Sequence, residues 1–415
     1  MITELEARNF KSWEDTGRLQ FAPLTGFFGA NSSGKTSILQ VLLMLKQTVE
    51  CSSDWNEPLY FGDEKSLVNL GSFDDVIHRP ATDPNLEIFV SWDLPKKRTI
   101  QNVGTIGALS FLTRIFRGTL EAFRYVADGD FFEATQSADG EYKISDSLFE
   151  ECVQSPFRCY GVRGTSTDLM GEFTGFERVF EDLFSQIRYL GPLRQHPRHH
   201  YIWDEHPDGV GPHGENAIPA LLSGRVQLSS MEEQIPIWLQ KLDLIDSYRL
   251  QTDLEEKERY ELYVTKYKGG PEVHLTDVGF GVSQVLPVLI LCYYVQEGSI
   301  LIIEQPEAHL HPKVQSELGD VLIDVVKNRN IQVILESHSE HLLHRLTRRI
   351  AEEEISAKDM ALYSCQINEG VSEIEQLKMD EYGNISNWPQ NFFGDEMGDL
   401  AAKASAEIER RKANK

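Results

Sequence analysis

Cysteine is scarce in this chain: five in 415 residues (Cys51, Cys152, Cys159, Cys292 and Cys365), odd in number and without a CxxC pair. That pattern speaks against a disulfide framework and leads us to expect reduced thiols in the cytoplasm. Long apolar runs are missing too. The longest, VLPVLILCYYV (285–295), is stopped by Gln296 and Glu297. It is too short to span a bilayer, so it predicts a buried helix and no membrane is expected. The opening MITELEARNF lacks the charged-then-apolar plan of a signal peptide. Positive charge is in deficit, with 40 Lys and Arg against 65 Asp and Glu and a net charge of −25. A surface of that sign disfavours tight, non-specific DNA binding by the molecule as a whole. Two basic runs, RYLGPLRQHPRHHY (188–201) and HRLTRR (344–349), leave room for a local DNA contact, although such runs are more often solvated faces or ion-pair partners. There is no internal repeat, and no low-complexity segment.

What is present is a foldable globular chain, 41% hydrophobic and 10% aromatic. ITELEARNF and LQFAPLTGFFG read as strands. The second enters a glycine turn and then GKTSILQVLLMLKQTVE, whose Ile38, Leu39, Leu42, Leu43 and Leu45 give a helix one wide apolar face. From about 55 to 185 the reading is of short strands (NLEIFVSWDL, DGEYKIS) among helical pieces such as FERVFEDLFSQI. DEHPDGVGPHGEN (204–216) reads as an exposed loop, 230–246 as helix and YELYVTKY as a strand. Later, SILIIE (299–304) and IQVILE (331–336) are continuous apolar strands joined by the helix PKVQSELGDVLIDVVKN. Such strands belong to parallel βαβ units with both sheet faces covered.

GANSSGKT (29–36) satisfies G-x-x-x-x-G-K-[ST] between a strand and a helix, where it marks a phosphate loop. Its glycines let successive N–H groups curl around a phosphate beside a helix N-terminus. Gly29, Asn31, Ser32, Ser33, Gly34, Lys35, Thr36 and Ser37 are therefore the expected ATP cradle. Lys35 would reach the β- and γ-phosphates and Thr36 would offer its hydroxyl to Mg²⁺. The metal also needs an acid at the tip of a buried neighbouring strand, and Glu304 ends ILIIE. The next strand ends in ESHS (336–339), which makes His338 a candidate γ-phosphate sensor.

LEARNFKSWED…FAPLTGFFGANSSGKTSILQ, EQPEAHLHP and ESHSEHLL together resemble the ABC-type ATPase heads of the SMC, RecF and OLD families. YLGPLR, DVGFGVSQVLP and GNISNWPQNFF extend the resemblance to a bacterial group of stand-alone AAA-type ATPases with a poorly characterised C-terminal region. It covers nearly the whole chain. The fold it implies is an α/β P-loop NTPase head, a mixed or parallel sheet core with a helical lobe. Residues 1–55 and about 265–375 would form the nucleotide core, about 56–264 an inserted lobe and 376–415 a C-terminal extension. In such heads a signature motif closes the partner's nucleotide site. DVGFGVSQ (277–284) has that place, with Gly279, Gly281 and Ser283 as the expected contacts, so a homodimer or higher homo-oligomer is implied.

The resemblance also raises a difficulty. Where these heads carry a catalytic glutamate after the strand, this chain has Gln305, and an amide cannot take a proton from water at neutral pH. Three readings stay open. Glu307, beyond the proline, supplies the base; Gln305 only orients the water; or the protein is a slow, ATP-held clamp. The favoured expectation is a slow ATPase with Glu307 contributing. His309 and His311 would sit at the dimer interface more readily than on a metal. The roughly 260 residues between the two nucleotide motifs carry no sustained heptads, which excludes long coiled-coil arms. No Glu…DxD cluster follows His338, which makes an intrinsic nuclease unexpected. Two function classes remain besides a non-hydrolysing scaffold. One is an ATPase controlling a separate effector, a nuclease or toxin, as in anti-phage defence; the other is a DNA-associated repair ATPase.

Overall fold

The two apolar strands and their linking helix form the centre of a six-stranded sheet. In the computed structural model its order is Ile187–Leu190, Ile300–Glu304, Gln332–Ser337, Leu24–Gly29, Met360–Asn368 and Val371–Gln376, parallel except for the last strand. All residues of Ile300–Glu304 and Gln332–Ser337 are buried, which is why both runs are continuously apolar up to their tips. Burial of each Ile, Leu or Val contributes roughly 1.5–3 kcal/mol, so the strand tips are held in a fixed register. The linking helix Pro312–Arg329 starts with proline, is capped by His311 accepting from the Lys313 N–H, and ends at Asn330 with φ +50°. The structure describes the chain except residues 52–56, 80–83, 101–102, 147–149, 154, 164–166, 203–208, 228, 253–258, 390–391, 393–401, 404–405 and 408–415. The charged end KASAEIERRKANK lies mostly outside the described residues, as does the first part of the 204–216 loop.

The middle of the chain departs from the expected short strands among helical pieces. Asn85–Ile100, Gly104–Phe116, Thr119–Ala127, Asp130–Gln136, Tyr142–Asp146 and Glu150–Val153 form a long antiparallel meander. It continues onto Ile2–Phe10, which also pairs with Trp13–Asp15 and Leu19–Gln20, giving nine strands. One face packs on the helices Lys35–Glu50 and Thr167–Ser185 through Trp92, Phe111, Tyr125 and Phe180. The other is wet and laced with ion pairs such as Arg114–Glu87. Residues 2–20 thus hydrogen-bond into this antiparallel sheet, whereas Ile187–Leu190, from the segment 56–264, pairs with Ile300–Glu304 in the core.

A third layer is helical. Ala217–Gln227, Ser229–Lys241 and Phe280–Tyr294 pack together beside a small antiparallel sheet of Tyr201–Ile202, Ser247–Thr252, Arg259–Thr265 and Glu272–His274. The apolar run 285–295 fills the last of these helices up to Tyr294, with Val295 as its C-cap, and is buried almost throughout. No helix among the described residues is long and apolar enough to cross a membrane.

Candidate nucleotide site

The phosphate loop leaves the strand Leu24–Gly29 and enters the helix Lys35–Glu50 through backbone that only glycine allows at two points. Gly29 has φ +146°, and a Cβ there would lie 2.1 Å from the Cys365 carbonyl oxygen. Gly34 has φ +89°, and its Cβ would lie 2.8 Å from the indole ring of Trp13 and 2.5 Å from Ser372 Oγ. Trp13 is fully buried and donates its Nε1–H to the Gly34 carbonyl at 3.1 Å, bracing the loop from the antiparallel sheet. Gly34→Ala should therefore lower stability by roughly 1–3 kcal/mol through strain. A thermal melt equal to the parent's would show that the loop needs no glycine there.

The loop borders a cleft of about 360 Å³ lined by Ser12, Asn31, Ser32, Ser33, Gly34, Lys35, Thr36, Ser37, Gln305, Glu336 and His338. The unpaired N–H groups of a helix N-terminus make such a cleft receptive to anions. Lys35 is only 2% exposed. Its Nζ donates to the Ala30 carbonyl at 2.6 Å and to Ser33 Oγ at 3.2 Å. Burial pulls the ammonium below the ordinary lysine range, with Glu336 as the main opposing charge.

The strand tips supply the acids. Glu304 and Glu336 are register partners on adjacent parallel strands. Thr36 Oγ1 donates to Glu336 Oε2 at 2.6 Å, so the structure brings the expected metal hydroxyl to Glu336. Glu304 does not line the cleft; its Oε1 accepts from the Tyr189 hydroxyl at 2.8 Å. Burial first, and then the charge of Glu336, push the Glu304 carboxyl up to about 7. Burial also works against Glu336, but its contacts with His338, Thr36 and Lys35 win and hold it below the usual glutamate range. His338 lines the cleft. Its Nδ1 lies 2.8 Å from the Gly29 carbonyl, which can only accept, so Nδ1 carries the hydrogen and Nε2 is the atom 3.6 Å from Glu336 Oε1.

Gln305 also lines the cleft, held with φ +45°. Its N–H donates to the Glu336 carbonyl at 2.8 Å. Arg194, 7% exposed, donates from Nη1 to the Gln305 carbonyl at 2.7 Å and from Nη2 to the Glu304 carbonyl at 2.8 Å. Burial pulls that guanidinium down to about 10. Glu307 stands behind the cleft wall, 6% exposed, with Oε1 accepting from the His338 backbone N–H at 2.7 Å. Burial raises its carboxyl. Of Glu304, Glu307 and Glu336, all buried, Glu336 is the one that lines the cleft.

The signature residues are not part of this cleft. Gly279 is exposed at the start of the helix Phe280–Tyr294, with open space where a Cβ would stand, and a Cβ on Gly281 would meet only Leu310, at 3.7 Å. Ser283 is buried and lines a small separate cavity with Gln195, Tyr201 and Pro287. His309 and His311 are exposed.

Sequence reasoning missed Glu336, Arg194, Tyr189 and the bracing pair Ser12 and Trp13. All of them stood inside motifs already singled out: ESHS, YLGPLR and FKSWED.

The chain matches the family model described as AAA ATPase domain over residues 1–155 and 215–343, more than half its length. It belongs to the AAA ATPase domain family. Residues 355–402 of this AAA ATPase match a second family, described as protein of unknown function (DUF3696). No curated protein matches it. Among solved structures it is similar to an Smc head bound to the C-winged helix domain of ScpA, at 13% identity and TM-score 0.49, covering 92% of this chain and 98% of that one. It is also similar to the SMC head domain from Thermotoga maritima, at 12% identity and TM-score 0.45, covering 91% and 99%. A Pyrococcus furiosus Smc head with an extended coiled coil, bound to the C-terminal domain of ScpA, gives 13%, 0.45, 98% and 99%. The family match makes the chain an ATP-binding ATPase.

Proposed function

We propose that this AAA ATPase holds ATP and Mg²⁺ in the Lys35 cleft, that a second copy closes over the nucleotide, and that the closed assembly controls a separate effector. The effector class we favour is a nuclease or toxin, as in bacterial antiviral defence. The observation that carries the dimer is the helix start at Gly279 and Gly281. Neither glycine has a positive φ, and at neither would a Cβ clash with the protomer's own atoms, so their smallness serves nothing inside it. A phosphate approaching from a partner would need that room and the helix N-terminus behind it.

The donors fit Mg²⁺. Thr36 offers a hydroxyl and Glu336 a carboxylate at the cleft, with the Glu304 carboxyl on the adjacent strand tip set back behind them, all hard oxygen ligands. Among the described residues no group of three His, Cys, Asp or Glu encloses a cation. That suits an ion which fills most of its positions with phosphate and water. When bound, it would neutralise charge on the transferring phosphoryl group. Lys35 would bind the phosphates, and His338 would sense the γ-phosphate through its ring. Hydrolysis is slow in this reading, because the residue that lines the cleft after the acid strand is Gln305, whose amide cannot serve as a base.

The two basic runs give the DNA-repair reading no support. Arg345 and Arg349 pair with Asp320 at 3.1 and 2.7 Å, and Arg348 pairs with Glu352 at 2.7 Å. In the other run Arg194 is buried in the acid turn, and Arg198 bonds Gln195 at 3.0 Å.

Sedimentation velocity tests the assembly. ATP with Mg²⁺ should shift the parent protein toward a dimer or larger species. Gly279→Arg, where the protomer leaves open space, should block the shift without lowering the melting temperature. Identical sedimentation of the parent with and without nucleotide would remove the dimer reading.

A further inference from the structure

We propose that Glu336, one strand over from the expected acid, is the carboxylate that positions the divalent cation of this site. The inference rests on the ATP and Mg²⁺ reading above and names the residue that serves it. Glu304 and Glu336 end adjacent parallel strands in direct register, so either could face a cation held at the sheet's edge. The structure distinguishes them. Glu336 lines the phosphate cleft and receives the Thr36 hydroxyl at 2.6 Å. Glu304 is set back from it, with Oε1 on the hydroxyl of Tyr189. Tyr189 belongs to the edge strand on the side away from the phosphate loop, so the contact draws Glu304 away from Thr36.

The sheet order explains the difference. Gln332–Ser337 is the immediate neighbour of Leu24–Gly29, the strand that feeds the loop, while Ile300–Glu304 lies one strand further out. With parallel strands about 4.8 Å apart, the tip of the nearer strand meets the first turn of the helix Lys35–Glu50. Glu336 also touches the other cleft elements. Its Oε1 faces His338 Nε2 at 3.6 Å, and the backbone carbonyl of the same residue holds the Gln305 N–H. A carboxylate accepts several hydrogen bonds or a cation, and a hydroxyl can turn its proton away to present a lone pair. Thr36 and Glu336 are thus already a two-oxygen donor pair, and Glu304 is the acid behind it.

A purely structural Glu336, present only to satisfy Thr36, is the competing account. The two accounts differ in what Mg²⁺ does. Affinity for a non-hydrolysable ATP analogue would be measured by calorimetry with Mg²⁺ and with EDTA, for the parent, Glu336→Gln and Glu304→Gln. Binding of Mn²⁺ with the same analogue would be followed by electron paramagnetic resonance. Glu336→Gln should lose roughly 10–100-fold of the metal-dependent tightening, keep its affinity in EDTA, and bind Mn²⁺ correspondingly less. Glu304→Gln should lose less. Parental metal enhancement in Glu336→Gln, or an equal loss with and without metal, overturns the proposal. Glu336→Asp guards against an amide variant that fails to fold. It should show a reduced enhancement, and a parental value would likewise overturn the assignment. A parent protein that binds no nucleotide removes the ATP reading itself, which is a different result.

Discussion

Lys35→Ala is expected to weaken ATP binding about a hundredfold, with the fold intact. The ammonium sits at the floor of the cleft, 2% exposed, satisfied by the Ala30 carbonyl and Ser33 Oγ. Phosphate oxygens would offer it stronger, charge-assisted partners in the same place. A hydrogen bond to a charged group contributes roughly 1.5–3 kcal/mol, and about 1.4 kcal/mol is tenfold in affinity. Removing both the charge and its contacts thus predicts a loss near two orders of magnitude. The melting temperature should stay close to the parent's, because the unliganded protein gains little from a cation that burial itself disfavours. Calorimetry with ATP, beside a thermal melt, makes the check. Parental affinity in a folded variant would remove the phosphate-loop assignment.

How much of this site could be read from the chain depended on how local its causes were. The loop 29–36 was legible because its glycines, lysine and hydroxyl are adjacent in sequence. The strands Ile300–Glu304 and Gln332–Ser337 were legible because burial on both faces leaves an unbroken apolar run. The antiparallel meander was not. Its strands have one wet face, so Glu87, Arg114 and Arg124 interrupt the pattern and suggest shorter pieces than the 16 and 13 residues of the two longest strands. Glu336 was passed over for a different reason. Its meeting with Thr36 joins residues 300 apart in the chain and depends on which strand lies beside the loop strand. Strand order is a tertiary fact. Arg194 hid in a basic run that reads equally well as a solvated face, and only its burial against two carbonyls gives it away.

The choice among Glu304, Gln305 and Glu307 rests on single-turnover hydrolysis. Glu307→Gln should keep nucleotide binding and run within about tenfold of the parent, since a positioned general base contributes roughly 10²–10⁴-fold and this carboxyl does not reach the cleft. An amide oxygen can still accept the His338 N–H that Glu307 now receives. A loss of two orders or more would instead make Glu307 the base. Gln305→Glu is the stronger perturbation, because position 305 does line the cleft and its backbone is fixed by Arg194 and by the Glu336 carbonyl. The new carboxylate would supply the missing proton acceptor and should accelerate hydrolysis by up to about 10²-fold, shortening the life of the ATP-bound assembly. It would also stand near Glu304 and Glu336, and like charges raise a carboxyl's pKa. The sign of the pH dependence follows. Below the raised pKa the side chain is protonated and no better than the amide, so the variant's advantage should vanish in acid. It should grow as pH rises through and above the usual carboxylate range. A Gln305→Glu enzyme slower than the parent at every pH would show that the amide itself orients the water, and that the parent is built to use it.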